Sequence, residues 1–258
     1  MRLPAALAAL ALLTAAPAEA IELASHRALY QLQLTSTRAD IAAATGNLAY
    51  EAIDACDGWA VRQRLQMNLT NRDGQDIEMI SDYATWESKD GLAMRFRMKQ
   101  TTEGAVTSQT EGEAKLDHTG GPGEAHYTVP RDMSQKLPDG TLFPMAHTAA
   151  VLEAAQAGKK FVSLPLFDGM SDSGAQDSAV AILGWFKPEP SPFPLLSDVP
   201  FTRVHIAFFG RESGTTTPDL EVGMKYWANG VDDELQLDFG DFVMAGKMTE
   251  FKPVPHRC

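Results

Sequence analysis

The sequence predicts a fold dominated by β-structure. It consists of an antiparallel sheet with one buried face and one solvent-exposed face, and of a single packed helix. Apolar and polar residues alternate with a period of two through several long segments, whereas only one segment, beginning at Pro144, shows helical periodicity. Hydrophobic residues make up 44% of the 258-residue chain and charged residues 22%, which is typical of a globular protein.

The first twenty residues have the pattern of an export signal. Arg2 gives a short positive region, Leu3 to Ala16 form an apolar core, and Ala18-Glu19-Ala20 matches an A-x-A cleavage site. The uninterrupted apolar run is shorter than the roughly 20 residues that span a bilayer. We therefore predict a Sec-type signal peptide at residues 1–20, cleaved near Ile21.

The exported part of the chain is predicted to be one acidic domain, residues 21–258. The formal charge is −12, and removing the signal leaves it unchanged because one arginine and one glutamate are lost. This acidic surplus disfavours nucleic-acid binding and docking on anionic membranes, since both require Lys and Arg. After Ile21 no apolar stretch is long enough to span a membrane, so we expect a soluble protein.

The predicted export of the protein decides how its two cysteines, Cys56 and Cys258, are interpreted. An even number of cysteines in an oxidising compartment favours a disulfide. This bridge would close a loop of about 200 residues and could stabilise the fold by up to about 5 kcal/mol. The alternative is a reactive thiol at Cys56, although the neighbouring Asp54 and Asp57 have the wrong sign to activate it.

Five segments carry the alternation expected of half-buried strands, and a hairpin signal, Asn229-Gly230, follows the last of them. The sequence after this turn predicts a returning strand with Leu235, Leu237 and Phe239 on one face. The apolar residues predicted to face inward in the five segments are Ala28, Tyr30, Leu32 and Leu34; Trp59, Val61, Leu65, Met67 and Leu69; Leu92, Met94, Phe96 and Met98; Val204, Ile206 and Phe208; and Leu220, Val222, Met224 and Tyr226.

One amphipathic helix is predicted from Pro144 to Lys159. Proline suits the first helical turn, and Gly158 suits the position just after the C-terminal cap. The apolar stripe of the helix consists of Met145, Ala149, Leu152 and Ala155. Such a helix could cover the open mouth or the inner face of a curved sheet.

Two other segments are irregular in sequence: Gly104–Gly123 predicts a mobile hairpin or a loop, and Lys187–Pro200 predicts a long ordered loop.

No motif of a known catalytic machinery is present, so we predict no catalytic residue, no metal site and no cofactor. The chain has no G-x-S-x-G elbow, no H-E-x-x-H helix and no phosphate-binding glycine loop. His118 and His126 flank a glycine-rich turn and could approach each other, but zinc would need further ligands. For His147, on the predicted helix, we favour a polar-face or capping role over catalysis.

Acidic and apolar clusters leave weaker alternatives open. Asp168–Asp177 resembles a calcium loop superficially but misses the EF-hand positions, so a polar turn is favoured. Asp232-Asp233-Glu234, continued by Asp238 and Asp241, could provide paired carboxylates for glycoside hydrolysis, although solvated charges are commoner. Four tryptophans could line a sugar groove, and the eleven methionines would suit an apolar cavity, but core packing is favoured for both. The tryptophans are Trp59, Trp86, Trp185 and Trp227.

Three segments together resemble the EipB-like family of periplasmic cell-envelope integrity proteins. They are Ser25 to Tyr30 just after the signal, Asp139 to Pro144 at the entry to a helix containing His147-Thr148, and Glu221 through Gly240 with its Asn229-Gly230-Val231 turn. Cys56 followed by Gly58, with a cysteine at the C-terminus, fits the same pattern.

The resemblance implies a strongly curved antiparallel sheet, or β-spiral, with a helix packed into it and a disulfide between Cys56 and Cys258. Its shape is similar to that of the half-barrel lipoprotein carriers LolA and LolB. The implied role is non-enzymatic maintenance of the Gram-negative envelope from the periplasm.

The ligand-binding residues stay unknown at this stage. The protein could bind a periplasmic protein partner or an apolar ligand, with a lipid or lipoprotein carrier as one alternative. An envelope glycan or peptide hydrolase is the alternative from another class.

Overall fold

The computed structural model describes residues 21–211, 216–255 and 258. The predicted signal peptide, residues 1–20, therefore lies outside the described residues. Within them the chain forms fourteen strands, one α-helix and a short 3-10 turn at Pro194–Leu196. The strands are β1 (His26–Thr37), β2 (Ile41–Asp54), β3 (Gly58–Asn71), β4 (Asp76–Ser88), β5 (Ala93–Thr102), β6 (Ala105–Leu116), β7 (Gly123–Val129), β8 (Met133–Leu137), β9 (Phe161–Leu166), β10 (Gln176–Phe186), β11 (Phe201–Phe209), β12 (Leu220–Trp227), β13 (Asp232–Asp238) and β14 (Phe242–Pro253), and the helix is α1 (Pro144–Gln156).

All fourteen strands belong to one antiparallel sheet, which confirms the predicted fold class. Strands β1 to β8 form one meander, β9 to β14 form a second, and β14 pairs with β1 to join them. The outer strands of the sheet are β8 and β9. Leu142, which follows β8, forms an isolated parallel bridge with Leu166 at the end of β9. The sheet therefore curves until its two ends approach each other without closing into a barrel.

Helix α1 packs inside this curve, which is one of the two positions expected for it. Its buried residues include Val151 and Leu152, which pack in one cluster with Val180 and Ile182 of β10. The helix ends at Gln156, three residues before the predicted end. Gly158 adopts φ +76°, and the N–H groups of residues 158 and 159 bond back to the carbonyl oxygens of residues 155 and 154, which completes a Schellman cap.

The turn at Asn229-Gly230 differs from the predicted two-residue hairpin. Trp227 donates its N–H to the carbonyl oxygen of Val231 at 2.8 Å, which leaves three residues in the loop. Gly230 has φ +80°, and its N–H bonds to Trp227 O at 2.9 Å. This is a turn followed by a residue in the left-handed region, an arrangement common in three-residue hairpins.

The two irregular segments are both ordered. Most of the Gly104–Gly123 segment forms β6, which pairs with β5 and β7, so the hairpin alternative is the correct one. Most of its polar residues are exposed, whereas Thr110, Ala114 and Leu116 are buried. The Lys187–Pro200 segment is a long loop, and its Leu196 is fully buried in the largest apolar cluster.

A disulfide joins Cys56 to Cys258, with 5.6 Å between their Cα atoms. Cys56 lies in the turn between β2 and β3, and Cys258 follows β14. Both β2 and β14 are hydrogen-bonded to β1, so the bridge links the two neighbours of β1 beyond their C-terminal ends.

Candidate ligand-binding cavity

A cavity of about 850 Å³ lies inside the curve of the sheet. Strands β1 to β3 form one wall, and β11 to β13 form the wall opposite. The loop between β9 and β10 covers part of it. The apolar lining consists of Tyr30, Leu48, Tyr50, Leu65, Leu166, Met170, Ala175, Phe208, Leu220, Val222, Met224, Leu235, Leu237 and Phe239.

Strand pairing explains why these side chains share one face. Leu48 on β2 is directly opposite both Tyr30 on β1 and Leu65 on β3. On the other wall, Val222 is opposite Leu237. Directly opposed residues of an antiparallel pair point to the same side of the sheet. The two apolar rows therefore form two continuous walls.

Several of these inward-facing apolar residues remain half-buried. On β12, Leu220, Val222 and Met224 are neither buried nor exposed, although they sit on the face that the alternation marks as core. Leu48 and Leu65 show the same intermediate exposure on the opposite wall. The described residues thus leave apolar surface uncovered inside the fold, which costs about 25 cal/mol per Å² relative to burial.

The cavity also contains a carboxyl group, that of Asp232 at the start of β13. The hydroxyl of Tyr30 donates a hydrogen bond to the main-chain oxygen of Asp232 at 3.0 Å. Burial raises the pKa of the Asp232 carboxyl to about 6, hydrogen bonding by Tyr30 lowers it in part, and the charge of Asp233 raises it further. The carboxyl is therefore mostly ionised at neutral pH.

A second carboxyl, that of Asp168, lies in the loop between β9 and β10 and is held by its own loop. It accepts hydrogen bonds from the N–H of Met170 at 2.9 Å and from Nε2 of Gln176 at 2.7 Å. Burial raises its pKa, and these hydrogen bonds lower it in part.

Three strand hydroxyls fix this loop over the cavity. Tyr83 donates to Asp168 O at 2.6 Å, Thr110 to Gly169 O at 2.5 Å, and Tyr127 to Ser171 O at 3.0 Å. The polar-turn interpretation of this segment fits these contacts. The role of the strand hydroxyls was missed, because the donors lie 44 to 85 residues from their acceptors.

A second cleft of about 800 Å³ lies beside the N-terminal end of α1. Glu87 of β4 is only 2% exposed there, and its carboxylate accepts hydrogen bonds from the N–H groups of Met145 at 2.8 Å and Ala146 at 2.9 Å. Burial raises the pKa of Glu87 to about 7, and the two helix N–H groups lower it in part. Nearby, Lys89 pairs with Asp54 at 2.8 Å and lies 3.8 Å from the ring centre of Trp59.

The acidic run after the Asn229-Gly230 turn is divided among separate partners. Asp233 accepts from the N–H of Met248 at 2.6 Å, Glu234 pairs with Arg203 at 2.6 Å, and Asp238 pairs with Arg38 at 2.9 Å. Of the acidic residues in this run, Asp232 is the one that lines the cavity. The acidic residues of this run are therefore held by different partners rather than gathered around one site.

His147 is buried in the core, and the predicted polar-face or capping role is wrong. Its side chain faces β10, where Nε2 lies 2.8 Å from Oγ of Ser178, and burial lowers its pKa to about 4. Ser178 donates its own proton to Leu164 O at 2.8 Å, so His147 is the donor in their contact. The two residues are 5% and 0% exposed and line neither cavity, which makes them a structural pair rather than a nucleophile and base.

The remaining histidine and tryptophan candidates are dispersed. His118 contacts Gly121, whereas His126 lies 3.4 Å from Ser134 Oγ. Across the described ranges, no three potential ligands are grouped closely enough to hold a metal ion. The tryptophans occupy separate environments, as shown by Trp86 beside Arg95 and Trp227 beside Lys225. They do not form one sugar-binding groove.

An open antiparallel sheet that curves around one helix and keeps a cavity on its concave side defines a β-barrel-like protein with an interior pocket. In the part of the chain that the structure describes, no helix is long and apolar enough to cross a membrane. A family model described as EipB-like matches residues 17–255, so the chain belongs to the EipB-like family. The resemblance found in the sequence is thereby confirmed.

Two relatives from Brucella abortus support this assignment. The chain is 28% identical over 244 residues to the cell envelope integrity protein EipB of strain 2308, which covers 92% of this chain and 86% of the relative. It also superimposes on a crystal structure described as a beta-barrel-like protein of the domain of unknown function DUF1849. That similarity has a TM-score of 0.83 and 26% identity, and it covers 92% of this chain and all of the other.

Proposed function

We propose that this protein is a soluble, non-enzymatic periplasmic protein that maintains the integrity of the Gram-negative cell envelope by binding an apolar ligand inside its curved sheet. Family membership and the name of the Brucella relative support the envelope role. The export pattern of residues 1–20 and the Cys56–Cys258 bridge support an oxidising compartment outside the cytoplasm.

The half-buried apolar lining of the cavity carries the ligand part of the proposal. Apolar surface that the protein's own side chains leave uncovered is unfavourable in contact with water, and a ligand that covers it gains the corresponding free energy. The cavity volume of about 850 Å³ is within the range of small-molecule sites. A lipid or an acyl chain of a lipoprotein has the required shape and polarity. A protein partner would instead need an exposed surface, and an enclosed concave lining favours the apolar ligand.

The test uses N-phenyl-1-naphthylamine, a neutral apolar dye whose fluorescence rises on transfer from water to an apolar site. We expect saturable binding to the wild-type protein. Val222→Trp, which fills the cavity, should weaken binding at least tenfold, whereas the matched Val106→Trp at a 54% exposed site should leave it unchanged. Equal binding by both variants, with circular dichroism confirming that both fold, would overturn the site assignment.

Three further measurements test the biological part. Mass spectrometry of an organic extract of protein purified from its native periplasm should identify a co-purifying lipid or acylated molecule. A strain lacking the gene should become sensitive to envelope-disrupting detergent, and Val106→Trp but not Val222→Trp should restore its resistance. Reproducible product release from peptidoglycan fragments by the purified protein would contradict the non-enzymatic assignment.

A further inference from the structure

The polar groups of the cavity point to the chemistry of the ligand's head group. Four charged residues line it within the described part of the chain: Asp168, Arg211, Asp219 and Asp232. The one cation among them, Arg211, is exposed at the rim, and its guanidinium contacts the carboxylate of Asp177. Its positive charge is therefore already balanced by a partner on the same rim.

The carboxylates differ in what they already bind. Asp219, exposed at the rim, accepts from the N–H of Gly210 at 2.9 Å. Asp168 accepts from Met170 and Gln176 within its own loop. Both carboxylates therefore already accept hydrogen bonds from neighbouring protein groups.

Asp232 is placed differently because it lies among apolar walls. Its neighbour Tyr30 is a neutral donor, whose hydroxyl bonds to the main-chain oxygen of Asp232 at 3.0 Å and lowers the pKa of the carboxyl in part. Among the residues that the structure describes, no basic side chain forms an ion pair with Asp232, and the charged group that shifts its pKa is another carboxylate, Asp233. With a pKa of about 6, Asp232 carries a negative charge at neutral pH.

A charged head group that enters this site must interact with that carboxylate in a medium of low polarity. A second anion, such as a fatty-acid carboxylate or a phosphate, would add like-charge repulsion to the cost of its own desolvation. An ammonium group would instead gain a charge-assisted hydrogen bond to the carboxylate. The sign of the charge therefore discriminates strongly between ligands that have the same apolar chain.

We propose that the cavity binds an aliphatic chain that carries an ammonium group, with the ammonium placed against Asp232, and that it rejects chains with an anionic head group. This inference rests on the proposed apolar binding function and adds its head-group specificity. The amine could belong to a lipid or to a lysine side chain of an acylated polypeptide, since both present the same group.

The experiment measures displacement of N-phenyl-1-naphthylamine at pH 7.5 by three probes with the same chain: dodecylamine, dodecanol and laurate. We expect dodecylamine to bind at least tenfold more tightly than laurate, with dodecanol between them. Asp232→Asn should bring the amine and laurate affinities within about threefold of each other. The matched variant Asp73→Asn, at an exposed position outside the cavity, should keep the wild-type ratio.

The outcomes separate this inference from the function on which it rests. If the neutral dye and dodecanol bind but laurate binds as tightly as dodecylamine, the head-group inference is wrong and the apolar site stands. If neither dye nor dodecanol binds, the proposed function itself fails. An unchanged ratio in folded Asp232→Asn also overturns the inference; if that variant does not fold, the wild-type ratio decides.

Two larger amines identify the source of the head group. Sphinganine presents a lipid amine, whereas N-lauroyl-lysine amide presents a peptide amine. Tighter displacement by one of them than by laurate supports the proposal and assigns the source, and failure of both to exceed laurate contradicts it.

Discussion

The carboxylate of Glu87 on β4 accepts a hydrogen bond from the main-chain N–H of Met145 at the start of α1, at 2.8 Å. Its second oxygen accepts from the N–H of Ala146 at 2.9 Å. Phe143, at the N-cap position of the helix, makes no capping hydrogen bond with its side chain. A residue 58 positions away therefore caps the helix and fixes it to the inner face of the sheet.

At pH 5, replacing Glu87 with alanine should destabilise the fold by about 1 to 3 kcal/mol. Alanine has no oxygen to accept from the two helix N–H groups, so these buried donors lose their partner. Urea denaturation followed by circular dichroism measures the loss. The matched exposed variant Glu113→Ala should change the free energy of unfolding by less than about 0.5 kcal/mol. Equal stabilities of the two variants would contradict the capping role.

The same residue should make stability depend on pH. Because the pKa of Glu87 is about 7 in the fold and near 4.5 in the unfolded chain, the folded state holds more protons between these values. Its contribution should therefore be fully present below about pH 4.5 and decline as pH rises to 7, by a total on the order of 3 kcal/mol.

The buried His147 titrates in the opposite sense and must be separated from Glu87. Its pKa is about 4 in the fold, below the unfolded value of 6.5, so its contribution grows as pH rises from 4 to 6.5. The difference in unfolding free energy between wild type and Glu87→Gln cancels this background. We expect this difference to fall steadily as pH rises from 4.5 to 7, and a constant difference would contradict the shifted pKa.

The strands and the helix could be predicted because their signals are local. Met94, Phe96 and Met98 alternate with charged residues in sequence and are all buried in the structure. The helix began at Pro144 as predicted. Its end was placed too late because Ala157 and Lys159 fit a helical pattern, whereas the left-handed cap at Gly158 ends the helix before them.

The cavity and the helix cap depend on contacts between distant residues, which the sequence does not encode locally. The alternation placed Leu65, Val222 and Met224 on the inner face, but it could not show whether side chains would fill the space between them. One signal for Glu87 was present in the sequence. It follows Tyr83 and Thr85 at a spacing of two, and all three are buried, so an acidic residue at an inward position indicated a buried partner.

Removing the disulfide should lower stability without changing the fold. We expect Cys56→Ser to cost about 2 to 5 kcal/mol, because the cross-link between residues 202 positions apart restricts the unfolded chain. The melting temperature should fall by about 5 to 15 °C. Cys258 should then react with a thiol reagent that does not label the oxidised wild type. An unchanged melting temperature, with thiols already reactive in the wild type, would refute the bridge.

A glycine pair separates backbone strain from packing at the loop that covers the cavity. Gly169 and Gly104 have φ values of +70° and +75°, so alanine at either position meets the same left-handed strain, of about 1 kcal/mol. A Cβ at Gly104 would meet no atom within 4 Å, whereas one at Gly169 would overlap the ring of Phe96. We expect Gly169→Ala to be about 1 to 3 kcal/mol less stable than Gly104→Ala in urea denaturation.

The same substitution should also weaken ligand binding, because Gly169 lies between two cavity-lining residues, Asp168 and Met170. A loop displaced from Phe96 would lose the hydrogen bond from Thr110 to the oxygen of Gly169 and would open one side of the cavity. Dye titration should show weaker binding by Gly169→Ala and unchanged binding by Gly104→Ala. If both bind like wild type while Gly169→Ala is destabilised, the loop contributes to stability but does not shape the site.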